Sequence, residues 1–207
     1  MTSSDPPRPP FQTLDRTASA PYSLSEYLRR WAWATVQATL WRIPRAWGLR
    51  RWLLRRFGAR IGANAIFKAS TRIFHPWLLD VGERSSVSPG VVIYNLGPVT
   101  IGTHSVISQD TYVCAGTHDY TRPDLPLLRP PIVIGSGVWI AAQAFIGPGV
   151  TIGDNAVIGA RAVVMRDVPP DVVAAGNPAK VIKAREFRRD SASSDTPRVV
   201  PEGRSPS

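Results

Sequence analysis

Residues 134–165 read IGSGVWIAAQAFIGPGVTIGDNAVIGARAVVM. An aliphatic residue returns at every sixth position: Ile134, Ile140, Ile146, Ile152, Ile158 and Val164. A small residue usually follows it, as in Gly135, Ala141, Gly147, Gly153 and Gly159. An amphipathic helix needs a period near 3.6 and a half-buried strand needs 2, so neither sustains a period of six. Six-residue repeats belong to parallel β-helices, whose coils stack so that each buries its neighbours.

The same period extends upstream. Ile101, Ile107 and Val113 keep it, as do Val81, Val87 and Ile93, and Ile61, Phe67 and Ile73. The steps from Ile73 to Val81 and from Ile93 to Ile101 are two residues longer, which reads as an enlarged corner each time. Four residues after the aliphatic, a second position holds Ala65, Thr71, Ser85, Val91, Ser105, Thr111, Ala144, Ala156 and Ala162. A triangular coil of three short strands explains both positions. The aliphatic and the small residue point inward, where a larger side chain does not fit, and the residue after the aliphatic turns the corner. Glycine suits that place because it accepts positive φ without steric cost.

Composition bounds the partners. The net charge is +10, yet residues 1–60 hold 11 basic and 3 acidic side chains, whereas residues 61–179 hold 7 and 8. The basicity sits at the ends. A nucleic-acid-binding body carries its own basic stripe, so that class is set aside. One cysteine, Cys114, excludes an internal disulfide framework and a cysteine-rich zinc site. The start shows no apolar signal core, and the apolar run Trp31–Trp41 is too short to span a bilayer. These points agree with a reducing, cytoplasmic setting.

The period breaks between Val113 and Ile134, where Thr117-His118-Asp119-Tyr120 leads into a proline-rich stretch ending at Pro130-Pro131. A loop held by a rigid solenoid is a natural seat for function. Histidine, with an ordinary pKa near 6.5, can take a proton from an attacking hydroxyl at neutral pH. From the residue alone, His118 reads either as such a base or as a loop histidine without chemistry.

The segment Thr117-His118-Asp119-Tyr120, the run Pro130-Pro131-Ile132-Val133-Ile134-Gly135 and the strand Val138-Trp139-Ile140 together resemble the galactoside and maltose O-acetyltransferase group of hexapeptide-repeat acyltransferases. The resemblance is closest to the branch associated with colanic acid and other exopolysaccharide synthesis, and it covers about residues 60–183. It implies a left-handed parallel β-helix, a homotrimer, acetyl-CoA as co-substrate, no metal, and a saccharide hydroxyl as acceptor. It also implies that His118 is the catalytic base.

Other positions carry over residue by residue. Asn95 falls where relatives line the acceptor pocket, although asparagine is also a favoured corner residue. Trp139 matches a tryptophan near the thiol end of acetyl-CoA, against the reading of a plain surface aromatic. Ala142 and Ala160 match positions whose backbone meets the pantetheine arm, and Met165 belongs to the family's closing segment. Arg166, Lys180 and Lys183 offer cations to the nucleotide phosphates, or form a solvated basic surface. Relatives often carry Thr-Lys in place of Met165-Arg166 and Arg in place of Lys180; charge survives both changes, but a lysine at 180 does not keep the bidentate fork of arginine. Asp119 reads first as an acidic loop residue and second as an orienter of His118, because neighbours on a strand face opposite ways.

The ends differ from the body. Residues 1–21 and 184–207 are polar and proline-bearing and read as disordered tails, leaving residues 61–183 as the β-helix with its loop at 114–133. Residues 22–60 read as helical. Ser23 and Glu26 fit a capping box, Leu24, Tyr27, Leu28, Trp31, Thr35, Ala38 and Trp41 keep helical spacing, and Pro44 marks the limit. A second short helix runs to Phe57, with Gly58 as its cap. Five of the seven tryptophans lie in this region among many arginines. It reads as a cap over the first coil, as a peripheral contact on the inner face of a membrane, or as both.

Competing readings remain on the same scaffold. The acceptor can be a non-sugar hydroxyl or an amino-sugar nitrogen. The chain can be a non-catalytic β-helix. A zinc enzyme like the γ-type carbonic anhydrases needs three close histidines, and His75, His104 and His118 fall on different coils.

Overall fold

The computed structural model describes residues 22–187; the tail expected at 1–21, and the part of the tail expected at 184–207 that follows residue 187, lie outside the described residues. The described chain is a parallel β-solenoid of five complete coils and part of a sixth, preceded by a short helical region. The three faces are three parallel ladders. Ile61, Val81, Ile101, Ile134 and Ile152 align on the first face. Phe67, Val87, Ile107, Ile140 and Ile158 align on the second, and Ile73, Ile93, Val113, Ile146 and Val164 on the third. The six-residue period is therefore the ladder register itself, and these aliphatics form one continuous core.

All nine residues of the second repeating position are buried as well. Where that position is polar, its hydroxyl joins neighbouring coils. Ser85 donates to Gly102 O at 2.7 Å and Ser105 to Gly135 O at 2.8 Å. Thr71 and Thr111 reach Ser88 O and Ala141 O in the same way. A buried hydroxyl that is hydrogen-bonded avoids the desolvation cost that an unpaired one would carry.

The glycine after each aliphatic has a different purpose from the one its conformational freedom suggests. Positive φ falls two residues later, at Asn64, Arg84, His104, Gly137 and Asn155 on one edge and at Gly90, Asp110, Gln143 and Arg161 on the next. The glycines are required by stacking. A Cβ on Gly82 would stand 2.6 Å from the backbone of Gly102 and Thr103, and one on Gly102 would stand 2.6 Å from Gly135 and Ser136.

The helical region is a cap. α1 spans Leu24–Ala38 with the expected capping box, and α2 spans Trp47–Arg56, closed by Gly58 at φ 96°. α2 lies over the first two strands and buries Leu53 and Leu54. Buried Arg50 ties the cap to the solenoid. Its guanidinium donates to Trp41 O at 2.8 Å, Ile43 O at 2.5 Å and Phe67 O at 3.2 Å. The far end closes with a hairpin, Val172–Ala175 against Lys180–Ala184, continuing the second face. That strand runs one residue past the expected boundary at 183, and Arg185 donates to Gly137 O and Asn155 O. Among the described residues no helix is long and apolar enough to cross a membrane.

Candidate active site

The interruption of the repeat leaves the solenoid after the third strand of the third coil, at Cys114, and returns at Ile132. Its two limbs pair as an antiparallel ribbon, Thr117 with Leu128 and His118 with Leu127. The tip is a chain of local turns. Asp119 O accepts from Arg122 N, Arg122 O accepts from Leu125 N, and Arg122 clasps Asp124 at 2.7 Å. The Asp119 carboxylate takes the N–H and hydroxyl of Thr121, which hold it below the usual carboxylate range. Asp119 thus supports the turn, in keeping with the first of its two readings.

His118 is exposed on this ribbon, and its Nδ1 lies 2.6 Å from Leu125 O. A carbonyl only accepts, so Nδ1 carries the proton. Nε2 is left with a lone pair for an incoming hydroxyl, the arrangement general-base chemistry requires. The orienting group is a main-chain oxygen, presented by Leu125 at φ 44°. No sequence signal distinguishes one carbonyl from another.

Tyr22, at the start of the cap, stands between two guanidinium groups. Arg30 lies 4.2 Å and Arg129 4.7 Å from its ring centre. Arg129 follows the limb that pairs with His118, so the cap touches the loop. Burial pushes the Cys114 thiol up, and its Sγ donates to Gly116 O.

Asn95 sides with the corner reading. It is 0% exposed, its Oδ1 accepts from Phe74 N and His75 N, and its Nδ2 donates to His75 O at 2.6 Å. It locks the enlarged corners of the first two coils together and offers no surface to an acceptor. These contacts favour the corner over the acceptor pocket for Asn95. His75, its buried partner, donates from Nδ1 to Asn95 O and is pushed down to about 4 by burial and by Arg30.

Trp139 opens the strand of the fourth coil on the second face and is 48% exposed; its indole donates to Ser108 Oγ at 3.1 Å. Ala142 and Ala160 stack on the edge between the second and third faces, where Arg161 N donates to Ala142 O. Exposed Met165 and Arg166 follow Val164 on the edge from which the His118 loop departs two coils earlier. Exposed Lys180 and Lys183 lie on the final strand over the second face. The structure thus brings the cofactor candidates onto the last coils but divides them between neighbouring edges. Within one chain, the first face separates Trp139 from the root of the His118 loop. Two hollows, of about 530 and 440 Å³, lie where α1 crosses the third face, and neither is lined by His118. His75 sits in the first coil's corner, His104 on another edge and His118 in the loop.

The chain is similar to known acetyltransferases in sequence and in fold. A family model described as bacterial transferase hexapeptide (six repeats) matches residues 131–166. An Escherichia coli (strain K12) protein assigned as the colanic acid biosynthesis acetyltransferase WcaF is 46% identical over 159 residues, 74% of this chain and 85% of its own length. The galactoside O-acetyltransferase of the same organism is 36% identical, over 63% of this chain and 66% of its own. The hexapeptide-repeat acetyltransferase VCA0836 of Vibrio cholerae, solved with acetyl coenzyme A, superposes with a TM-score of 0.73 at 27% identity, covering 80% of this chain and 91% of that one. A galactoside acetyltransferase solved with coenzyme A gives 0.74 at 29% identity, covering 80% and 85%.

Proposed function

Because this chain belongs to the hexapeptide-repeat acetyltransferases, we propose that it moves acetyl from acetyl-CoA to a hydroxyl of a saccharide during synthesis of an exopolysaccharide or other cell-surface glycan. It is an acetyl-CoA-dependent acyltransferase; the acceptor is the part that is inferred. The observation that carries the reaction is the pairing of His118 Nδ1 with Leu125 O, which leaves Nε2 as a base on an exposed ribbon.

In this reading His118 Nε2 takes the proton of the acceptor hydroxyl as its oxygen attacks the thioester carbonyl carbon. The C–O bond forms, the C–S bond breaks, and the thiol of coenzyme A leaves with a proton returned by His118. Backbone N–H groups stabilise the oxyanion, as preorganised donors do. Ala142 and Ala160 leave room for the pantetheine arm on the solenoid edge, with Met165 alongside. Arg166, Lys180 and Lys183 serve the phosphates, and Trp139 the thiol end. The separation of His118 from Trp139 around the prism supports a site shared between neighbouring chains of a homotrimer. An acetyl-CoA co-substrate is in keeping with the expected cytoplasmic location.

The test is an assay of coenzyme A release over sugars, nucleotide sugars and lipid-linked oligosaccharides, with the product analysed for an O-acetyl or N-acetyl group. Ester formation on a saccharide supports the reading. Amide formation, or no turnover with any member, removes it.

A further inference from the structure

α1 turns its apolar stripe away from the protein. Leu24 is 76% exposed, Leu28 60% and Trp31 71%, with Tyr27 beside them. At 100° per residue these four side chains share one face of the helix. The opposite face holds the helix by polar contacts. Trp33 Nε1 donates to Ile73 O at 2.6 Å, Gln37 exchanges two hydrogen bonds with the Ile73 backbone, and Arg29 donates to Phe57 O. These contacts set the rotation of α1 about its axis, so the stripe faces outward by construction. Exposed Trp47 and Trp52 on α2 extend the aromatic character of the cap.

We propose that this face of α1 docks on an anionic lipid surface. Charge complementarity selects that partner. Residues 22–60 contain nine arginines and one glutamate, and of these Arg42, Arg45 and Arg56 are exposed on the cap, whereas Arg29 and Arg55 are committed to Phe57 O and Ile61 O. A second copy would bring the same positive charge against itself. Residues 1–21 hold two Arg and two Asp and offer no complementary charge. Tryptophan and tyrosine favour the boundary between headgroups and acyl chains, and an amphipathic helix with a cationic flank lies in that plane. No described helix is long and apolar enough to cross, so the contact is peripheral. The inference rests on the helical cap and is independent of the acceptor.

The test floats the full-length protein with phosphatidylcholine vesicles and with vesicles of equal parts phosphatidylcholine and phosphatidylglycerol. The comparison variant is Leu24→Ser/Leu28→Ser/Trp31→Ser, whose changes touch no buried contact. The native protein binds the anionic vesicles at least about tenfold more tightly than the neutral ones. The variant stays in the soluble fraction with its assembly size and coenzyme A release unchanged. Failure of the native protein to bind anionic vesicles overturns the proposal, whether a second copy or residues 1–21 cover the stripe. Binding by the variant at the native level overturns it, and so does a change in the variant's assembly size, which would make the stripe a subunit contact.

Discussion

His118 and Leu125 form the decisive pair of the loop: the imidazole Nδ1 lies 2.6 Å from the Leu125 carbonyl oxygen, across the tip of the ribbon. One main-chain oxygen sets both the tautomer and the direction of the ring. The orienting group is thus insensitive to the side chain at 125 but sensitive to its backbone.

Leu125 holds a left-handed conformation, φ 44°, which glycine adopts freely and a β-branched residue resists. Leu125→Gly is expected to keep kcat within about twofold, whereas Leu125→Val lowers it by roughly tenfold or more through a displaced carbonyl. Steady-state kinetics on the two variants decide this. Equal rates would detach the carbonyl from the chemistry.

Arg50 is buried and donates to three carbonyls at once. Arg50→Ala is expected to cost on the order of 3 kcal/mol, because it leaves Trp41 O, Ile43 O and Phe67 O unpaired. Arg50→Lys rescues little, since one ammonium cannot reproduce the planar fork. Urea unfolding midpoints at fixed protein concentration measure both.

His75 brings a pH dependence. Its folded pKa of about 4 lies below the ordinary value of 6.5, because burial, and then Arg30, oppose the charged form. Between those two values the unfolded chain binds a proton that the folded chain refuses. Stability is therefore full above pH 6.5 and falls as the pH drops toward 4, by up to about 3 kcal/mol. His75→Asn keeps a donor toward Asn95 O and removes the titration. Unfolding midpoints from pH 7 to pH 4 are expected to fall more steeply in the native protein than in the variant.

Trp139 is half exposed and its indole is held by Ser108. If it packs on the thiol end of acetyl-CoA, Trp139→Ala raises the KM for acetyl-CoA by roughly tenfold, while Trp139→Phe, which keeps the aromatic face, stays within about threefold. Unchanged KM in both variants would return Trp139 to a surface aromatic.

The solenoid was legible because one spacing encodes it: every aliphatic of the period lies in a ladder beside its counterparts, from Ile61 to Val164. The loop was legible as the place where the period stops. Three features were not, each for a physical reason. The Leu125 carbonyl is common to every residue type, so only the turn geometry singles it out. The glycines mark close stacking between coils, which no single coil displays. The stripe of α1 announces an amphipathic helix, but its direction depends on Trp33 and Gln37 reaching Ile73, contacts between residues some forty positions apart. Asn95 shows the reverse hazard: a position matched to a pocket in relatives is here closed within a corner.

The most direct test of the account is transfer by His118→Asn, measured as coenzyme A release with a saccharide acceptor identified in the panel. Asparagine can still donate to Leu125 O and hold the ribbon, but it carries no base at the Nε2 position. The account predicts a fall in kcat of about 10²–10⁴-fold, with KM for acetyl-CoA nearly unchanged. Transfer at the native rate would contradict it and leave His118 a loop residue.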